Sequence, residues 1–109
     1  MTQTYTQFCF PSSAKIVKFT GHITPLAGCP DVAISHNVWT ETPGSGCGAS
    51  ASLSRCNQLR NDGYSAVICT VNADNQVQKK ILLKNGWSFG LSFRSRRNGH
   101  KVEIWTKEL

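Results

Sequence analysis

The pattern of apolar and polar positions predicts five β-strands in this chain. The predicted strands cover residues 14–23, 31–41, 64–71, 87–93 and 101–107. In the second strand, Val32, Ile34, His36 and Val38 recur at every other position and so share one face. The third strand is almost continuously apolar, which is typical of a strand covered on both faces. Between the first two strands, residues 24–30 carry two prolines and a glycine and are predicted to form a turn.

Two helices are predicted between these strands. The first has an apolar face at helical spacing, formed by Ala49, Leu53, Cys56 and Leu59. Gly63 suits the left-handed position just past its end. In the second helix, Asn75 and Gln78 have the spacing of a capping box, and Gly86 ends the helix. Its inner stripe is predicted to be Val77, Ile81 and Leu82.

The order of these elements predicts a mixed α/β (α+β) fold. A strand, helix, strand sequence in the middle indicates a parallel βαβ unit, whereas the outer strands are expected to pair antiparallel. At 109 residues the chain has the length of a single domain. We expect N-terminal strands in residues 1–37, a βαβα core in 38–86 and a C-terminal hairpin in 87–109.

Composition indicates an anionic partner. Twelve lysines and arginines face six acidic residues, which gives a formal net charge of +6. Nucleic acid, an anionic membrane surface and a multiply phosphorylated cofactor all fit such a surplus. No apolar run approaches the roughly 20 residues of a membrane span, and Met1–Phe10 lacks the pattern of a signal peptide. We therefore expect no membrane partner and a cytoplasmic location.

The five cysteines do not indicate a metal or redox site. Their number is odd and no two have the C-x-x-C spacing of zinc or redox motifs. Their neighbours are mostly small or apolar, so they are predicted to be reduced, semi-buried side chains. They are Cys9, Cys29, Cys47, Cys56 and Cys69.

The glycine-rich segment at residues 42–50 is the most unusual part of the sequence. It lies between a predicted strand and a helix, where free backbone amides and the helix dipole favour an anion, and where glycine lets a phosphate approach closely. The segment lacks the lysine of a nucleotide-binding P-loop. Gly44, Gly46 and Ala49 match a dinucleotide fingerprint, but no acidic residue follows at the required distance. A flexible solvent loop is the alternative.

From about Val32 to Leu109 the chain resembles the Gcn5-related N-acetyltransferases. Val38 matches the strand end and residues 43–48 match the loop that opens the family's coenzyme-binding helix. A second family motif is matched by Val71, Asn75, Gly86 and Trp87. The resemblance is nearest to short acetyltransferase-like proteins of bacteriophages, which would place the protein in the host cytoplasm.

This resemblance implies that acetyl-CoA is the cofactor. The strand backbone would pair with the pantetheine arm at Val38, Trp39 and Thr40. Loop and helix amides would bind the pyrophosphate at Ser45, Gly46, Cys47, Gly48 and Ala49. Asn75 would touch the coenzyme, although a purely structural role as helix cap is an equal alternative.

The resemblance also implies acetyl transfer to an amine on a small molecule or protein by direct attack. An amine with a pKa of about 10.4 arrives protonated and needs a base, for which His36 and Glu41 are the candidates, with His22 behind them. Two family positions differ here. Pro43 replaces the arginine or glutamine that opens the loop, and Leu82 replaces a proton-donating tyrosine. Both departures put affinity or catalysis in question.

A binding module is the competing interpretation. A predicted hairpin carries Arg94, Arg96, Arg97 and Lys101, a cluster suited to nucleic acid, although a merely soluble hairpin tip is the simpler explanation. The 37 residues before Val38 are predicted to be strands, where the family has substrate-facing helices. The acceptor pocket is therefore expected to be shallow, absent or completed by a second subunit in a homodimer.

Replacing Gly46 by a bulky residue separates these two hypotheses. Acetyl-CoA is expected to raise the melting temperature of the unmodified protein by several degrees, because a ligand that binds only the folded state stabilises it. The substitution is expected to abolish that shift and to leave salt-dependent binding of DNA or RNA intact. A retained shift together with lost nucleic-acid binding would contradict the coenzyme hypothesis.

Overall fold

A computed structural model describes residues 2–9, 17–40 and 48–109 of the chain. Its elements are β1 (Gln3–Cys9), β2 (Val17–Leu26), β3 (Cys29–Thr40), α1 (Gly48–Asn61), β4 (Ala66–Asn72), α2 (Gln76–Lys84), β5 (Ser88–Arg94) and β6 (Lys101–Glu108).

The strands form one mixed six-stranded sheet in the order β1-β2-β3-β4-β6-β5. β1, β2 and β3 pair antiparallel with their neighbours, as do β4, β6 and β5. The two antiparallel halves are joined by the parallel pairing of β3 with β4. The predicted mixed α+β class, with a parallel βαβ unit flanked by antiparallel strands, is therefore confirmed.

Both helices contribute to a core on one face of the sheet. The residues buried there are Tyr5, Ile23, Ala33, Cys56, Leu59, Val67, Val71, Leu82, Trp87 and Trp105. Alternation along each strand directs the intervening residues to the opposite face. Among the described residues no helix belongs to that second face. Leu91 and Phe93 lie there and are 52% and 44% exposed.

Local capping signals set the helix ends as the sequence predicted. The Asn75 side chain accepts a hydrogen bond from the backbone N–H of Gln78 at 3.2 Å, so it caps α2. Gly63 and Gly86 adopt φ angles of 96° and 83° just beyond the ends of α1 and α2. These positive values are strained for residues with a Cβ atom.

The predicted inner faces of the two helices were partly wrong. Leu53 is 47% exposed and Val77 is 72% exposed. In α1 the buried face instead includes Ser52 and Arg55 beside Cys56 and Leu59. The prediction considered apolar residues alone. It therefore missed Ser52 and Arg55, and it wrongly placed Leu53 on the inner face.

β1 lies within residues 1–37, where strands were expected, but it was given no bounds of its own, because its polarity is inverted at Gln7 and Phe8. Gln7 faces the helices and is buried, whereas Phe8 is 58% exposed. The Gln7 side-chain amide donates to Oε1 of Gln58 on α1 at 3.2 Å, which satisfies part of its buried polar group. This partner is distant in sequence, so no local pattern indicates it.

The turn predicted over residues 24–30 is also shorter in the structure. Only residues 27 and 28 form the turn, and Pro25 and Pro30 lie within β2 and β3. β1 reaches only to the partner of Ile23, so Pro25 lies where β2 has β3 as its strand neighbour and an open edge on the other side. A proline, which has no N–H to donate, is tolerated at such an edge.

Within the described ranges no helix is long and apolar enough to cross a membrane.

Leu59→Ala is expected to destabilise the protein by about 2–5 kcal/mol, since Leu59 is fully buried between α1 and the sheet. Urea denaturation measures the free energy of unfolding. Leu53→Ala on the same helix is the matched control, and a change within about 0.5 kcal/mol is expected for it. Equal losses in both variants would contradict this orientation of α1.

Candidate functional site

The two halves of the sheet separate at one point. The parallel pairing of β3 with β4 begins at Val32–Ala66 and ends at Ser35–Cys69. β3 then continues beside β2 as far as Thr40, and β4 continues beside β6 as far as Asn72. Within the described strands, no further pair joins β3 to β4. Their carboxyl ends therefore diverge, and backbone groups on the facing edges have no partner in the strands that the structure describes.

A cleft of about 640 Å³ lies at this point of divergence. Its walls come from β3, α1, β4 and α2, together with Trp87 and Val102. Ser35 and Cys69 line it from the helix-covered side of the sheet, and His36 and Thr70 line it from the open side. Residues of both faces of the sheet therefore line the cleft where β3 and β4 separate.

The first predicted coenzyme residues lie on the edge of this cleft. Val38, Trp39 and Thr40 form the last part of β3, beyond its pairing with β4. On their other edge, Trp39 and Thr40 pair with Thr20 and Phe19 of β2. Among the described strands, none pairs with the side of β3 toward β4 in this stretch, as an added extended ligand requires.

Part of the predicted phosphate loop lies outside the described residues. These positions are Ser45, Gly46 and Cys47, and the candidate base Glu41 lies outside them as well. Gly48 and Ala49 are described and open α1. A Cβ atom at Gly48 would come within 2.8 Å of Cδ1 of Ile81, so α1 begins in close contact with α2. The side-chain amide of Asn85 donates to the carbonyl oxygen of Ala49 at 2.9 Å and reinforces this contact.

The location of Asn75 fits either of the two roles predicted for it, helix cap and coenzyme contact. It caps α2, and it also lines the cleft. The cap uses its Oδ1 atom. The amide Nδ2 of an asparagine is a separate donor, so capping does not prevent contact with a ligand.

His36 lies on the cleft wall at the start of the divergent part of β3. Its Nε2 is 2.7 Å from the hydroxyl oxygen of Thr24 on β2. If Nε2 carries the proton and donates to that oxygen, Nδ1 keeps a lone pair that can accept a proton. Thr24 would then orient the ring and select its tautomer.

Arg55 is a cleft residue that the sequence analysis missed. It lies on α1, is only 6% exposed and lines the cleft beside Ser52 and Cys69. Burial lowers the pKa of its guanidinium. The sequence does contain a signal for this position. Ser52, Arg55, Cys56 and Leu59 have the spacing of one helical face, so Arg55 shares a face with Cys56 and Leu59.

The environment of Cys69 favours the protonated thiol. Burial raises the pKa of its thiol to about 12, so it stays protonated at neutral pH, and a thiol is far less reactive than a thiolate. Of the predicted semi-buried cysteines, Cys56 is buried and Cys69 is half-buried, but Cys29 is exposed. It was misplaced because it opens β3 immediately after the turn.

Leu82 is buried and lines the cleft, so the residue at the family's tyrosine position offers no proton there.

Lys79 is not a freely solvated lysine. Its Nζ donates to the carbonyl oxygen of Ala73 at 2.6 Å and forms an ion pair with Glu103 at 3.3 Å.

The fold is shared with solved acetyltransferases. Neither a protein-family model nor a curated protein sequence matches the chain. An acetyltransferase from Bacillus subtilis in complex with CoA superposes with a TM-score of 0.76 at 11% identity, over 99% of this chain and 77% of that one. A ribosomal-protein-alanine N-acetyltransferase from Brucella melitensis gives 0.73 at 13% identity, over 88% and 64% of the two chains.

A Gcn5-related N-acetyltransferase from Kribbella flavida gives a TM-score of 0.73 at 16% identity, over 97% of this chain and 68% of that one. These identities are low, so the similarity is one of fold. The chain has the fold of the Gcn5-related N-acetyltransferases. It spans 64–77% of the length of the three chains compared.

Two substitutions at Asn75 separate its two roles. Asn75→Ala is expected to cost about 1 kcal/mol of stability through loss of the cap. Asn75→Asp keeps an acceptor for the Gln78 amide but places a negative charge at the cleft, so stability is expected to be retained while affinity for CoA falls. Thermal melts and calorimetric titration with CoA measure the two effects. Unchanged CoA affinity in both variants would restrict Asn75 to capping.

Proposed function

We propose that this protein is an N-acetyltransferase that transfers the acetyl group of acetyl-CoA to an amine. The observation that carries the proposal is the divergence of β3 from β4 beyond Ser35–Cys69, which opens a cleft between the two strands beside α1. An extended arm can pair with the free edge of β3 there, and a diphosphate can bind at the helix start. Low-identity structural neighbours support the same assignment, one of them in complex with CoA.

In this proposal the coenzyme is bound mainly by backbone groups. The pantetheine arm pairs with residues 38–40, the pyrophosphate accepts hydrogen bonds from the amides of residues 45–49, and Asn75 contacts the coenzyme from α2. Coenzyme A supplies a thioester whose carbonyl carbon is open to attack. The net charge of +6 favours the approach of this anionic cofactor.

The acceptor amine enters from the open side of the sheet, where His36 lies. An attacking amine must lose its surplus proton, and His36, oriented by Thr24, accepts it. Glu41 is the second candidate base. Leu82 cannot donate a proton to the leaving thiolate, but a thiol's pKa of about 8.5 makes that assistance unnecessary near neutral pH.

The acceptor belongs to one of two classes, an amine on a small molecule or an amine on a protein. The Brucella melitensis neighbour is a ribosomal-protein-alanine N-acetyltransferase, which favours a protein amine as the first substrate to test here. A cytoplasmic location and a bacteriophage origin remain predictions from the sequence.

A catalytically inactive binding protein is the second candidate. Arg94, Arg96, Arg97 and Lys101 are all exposed around the β5–β6 turn, and the one ion pair among the described residues does not involve them. Their charge is therefore available to nucleic acid. The homodimer prediction is also retained as a proposal, since a second copy on the open face would cover Leu91 and Phe93 and complete the acceptor side.

The deciding experiment combines a calorimetric titration of acetyl-CoA with an assay of thiol release in the presence of amines, including N-terminal peptides and polyamines. Saturable binding with amine-dependent thiol release supports the transferase. Binding without turnover favours the inactive binding protein. Absence of both contradicts the proposal.

His36→Gln is expected to lower kcat/KM by about 10²–10⁴-fold while the Kd for CoA stays unchanged, because the base acts on the acceptor and not on the coenzyme. His22→Gln is the matched control. His22 pairs with His36 across β2 and β3 and contacts Thr4, but it does not line the cleft. Equal activity of both variants would exclude His36 as the base.

A further inference from the structure

Arg55 places a positive charge in the cleft, where the described residues supply no carboxylate to balance it. Within the described residues the only ion pair is Lys79–Glu103, so no described carboxylate lies at salt-bridge distance from Arg55. Its Nε also lacks a hydrogen-bond partner there. The residue as a whole is only 6% exposed, and its Nε atom is buried.

This arrangement is costly for the protein alone. An arginine stays protonated even when burial lowers its pKa, and an unpaired buried charge is strongly destabilising. A ligand anion removes that cost. Ser52 and Ser35 line the same cleft and offer neutral hydroxyl groups, which hydrogen-bond an anion without neutralising the guanidinium.

The position of Arg55 distinguishes this anion from the coenzyme's diphosphate. Arg55 follows Gly48 by seven residues, which is about 10 Å along the helix. The proposed diphosphate site is at the start of α1, whereas Arg55 lies in the cleft with Ser35 and Cys69, where the parallel pairing of β3 and β4 ends. In the proposed binding mode the acyl end of the donor reaches into this part of the cleft.

We propose that the preferred donor is a coenzyme A thioester of a short dicarboxylic acid, whose terminal carboxylate pairs with Arg55. An uncharged acetyl group leaves the guanidinium unpaired, whereas a malonyl or succinyl group supplies a planar carboxylate that an arginine binds through two hydrogen bonds. This inference rests on the proposed transferase function and specifies its acyl donor.

Atoms and charge balance in the transfer step when such a donor is used. The neutral amine nitrogen attacks the thioester carbonyl carbon, a C–N bond forms and the C–S bond breaks. The surplus amine proton goes to the base, and the departing thiolate takes a proton to become the thiol of CoA. The product is an amide with a free carboxylate, so a cationic amine becomes an anionic group.

Calorimetric titrations with CoA, acetyl-CoA and succinyl-CoA test the inference on the full chain. Succinyl-CoA is expected to bind about 10–100-fold tighter than acetyl-CoA, as charged hydrogen bonds in a buried site allow. Arg55→Gln is expected to abolish this preference while affinity for CoA itself is retained. Arg60→Gln, an exposed arginine on the same helix, is the matched control and is expected to keep the preference.

Thermal melts accompany each titration, and Arg55→Gln is expected to melt no lower than the parent protein because it removes an unpaired buried charge. Should it fail to fold, Arg55→Lys replaces it, and a reduced but measurable preference is expected because lysine lacks the two-pronged geometry.

The possible outcomes distinguish the inference about the acyl donor from the proposed transferase function on which it rests. If neither CoA nor either thioester binds, the transferase proposal fails. If CoA and acetyl-CoA bind and succinyl-CoA shows no advantage, or if its advantage survives Arg55→Gln, only the inference about the donor is overturned. A carboxylate could also come from an acidic amino-acid acceptor. Glutamate binding that depends on Arg55, with no donor preference, would likewise overturn the donor assignment.

Discussion

The pairing of β3 with β4 is the constraint on which the cleft depends. Four parallel pairs, from Val32–Ala66 to Ser35–Cys69, join two antiparallel three-stranded halves. Each half retains its own pairing beyond that point, so the strands diverge instead of continuing as one sheet. The α1 crossover and the shared core keep the halves together at the base. Divergence exposes backbone hydrogen-bonding groups that a continuous sheet would satisfy internally.

The interior of the cleft is chemically asymmetric. On the helix-covered side, Arg55 is buried and has no described anionic partner, and Cys69 is half-buried with a thiol pKa raised by burial. On the open side, His36 is held by Thr24. In the proposed function, the plane of the sheet separates the proposed anion-binding residue Arg55 from the proposed base His36.

Much of the fold follows from local sequence chemistry. The strand and helix order, the Asn75 cap and the glycines beyond each helix were predicted because their interactions lie within a few residues. Part of the cleft was predicted as well, since His36 and Asn75 both line it. The predicted phosphate loop at residues 45–47 and Glu41 lie outside the described residues, so their roles remain proposals.

Tertiary structure decided which polar groups are buried. Gln7 is buried because Gln58, on a distant helix, pairs with it, and Phe8 is left exposed on the other face of β1. Arg55 is buried beside the point where β3 and β4 separate, and those strands pair residues that lie 34 positions apart in sequence, such as Val32 and Ala66. Local periodicity separates apolar from polar positions. Local periodicity does not indicate that a polar residue is buried when its partner comes from a distant part of the chain or is a ligand.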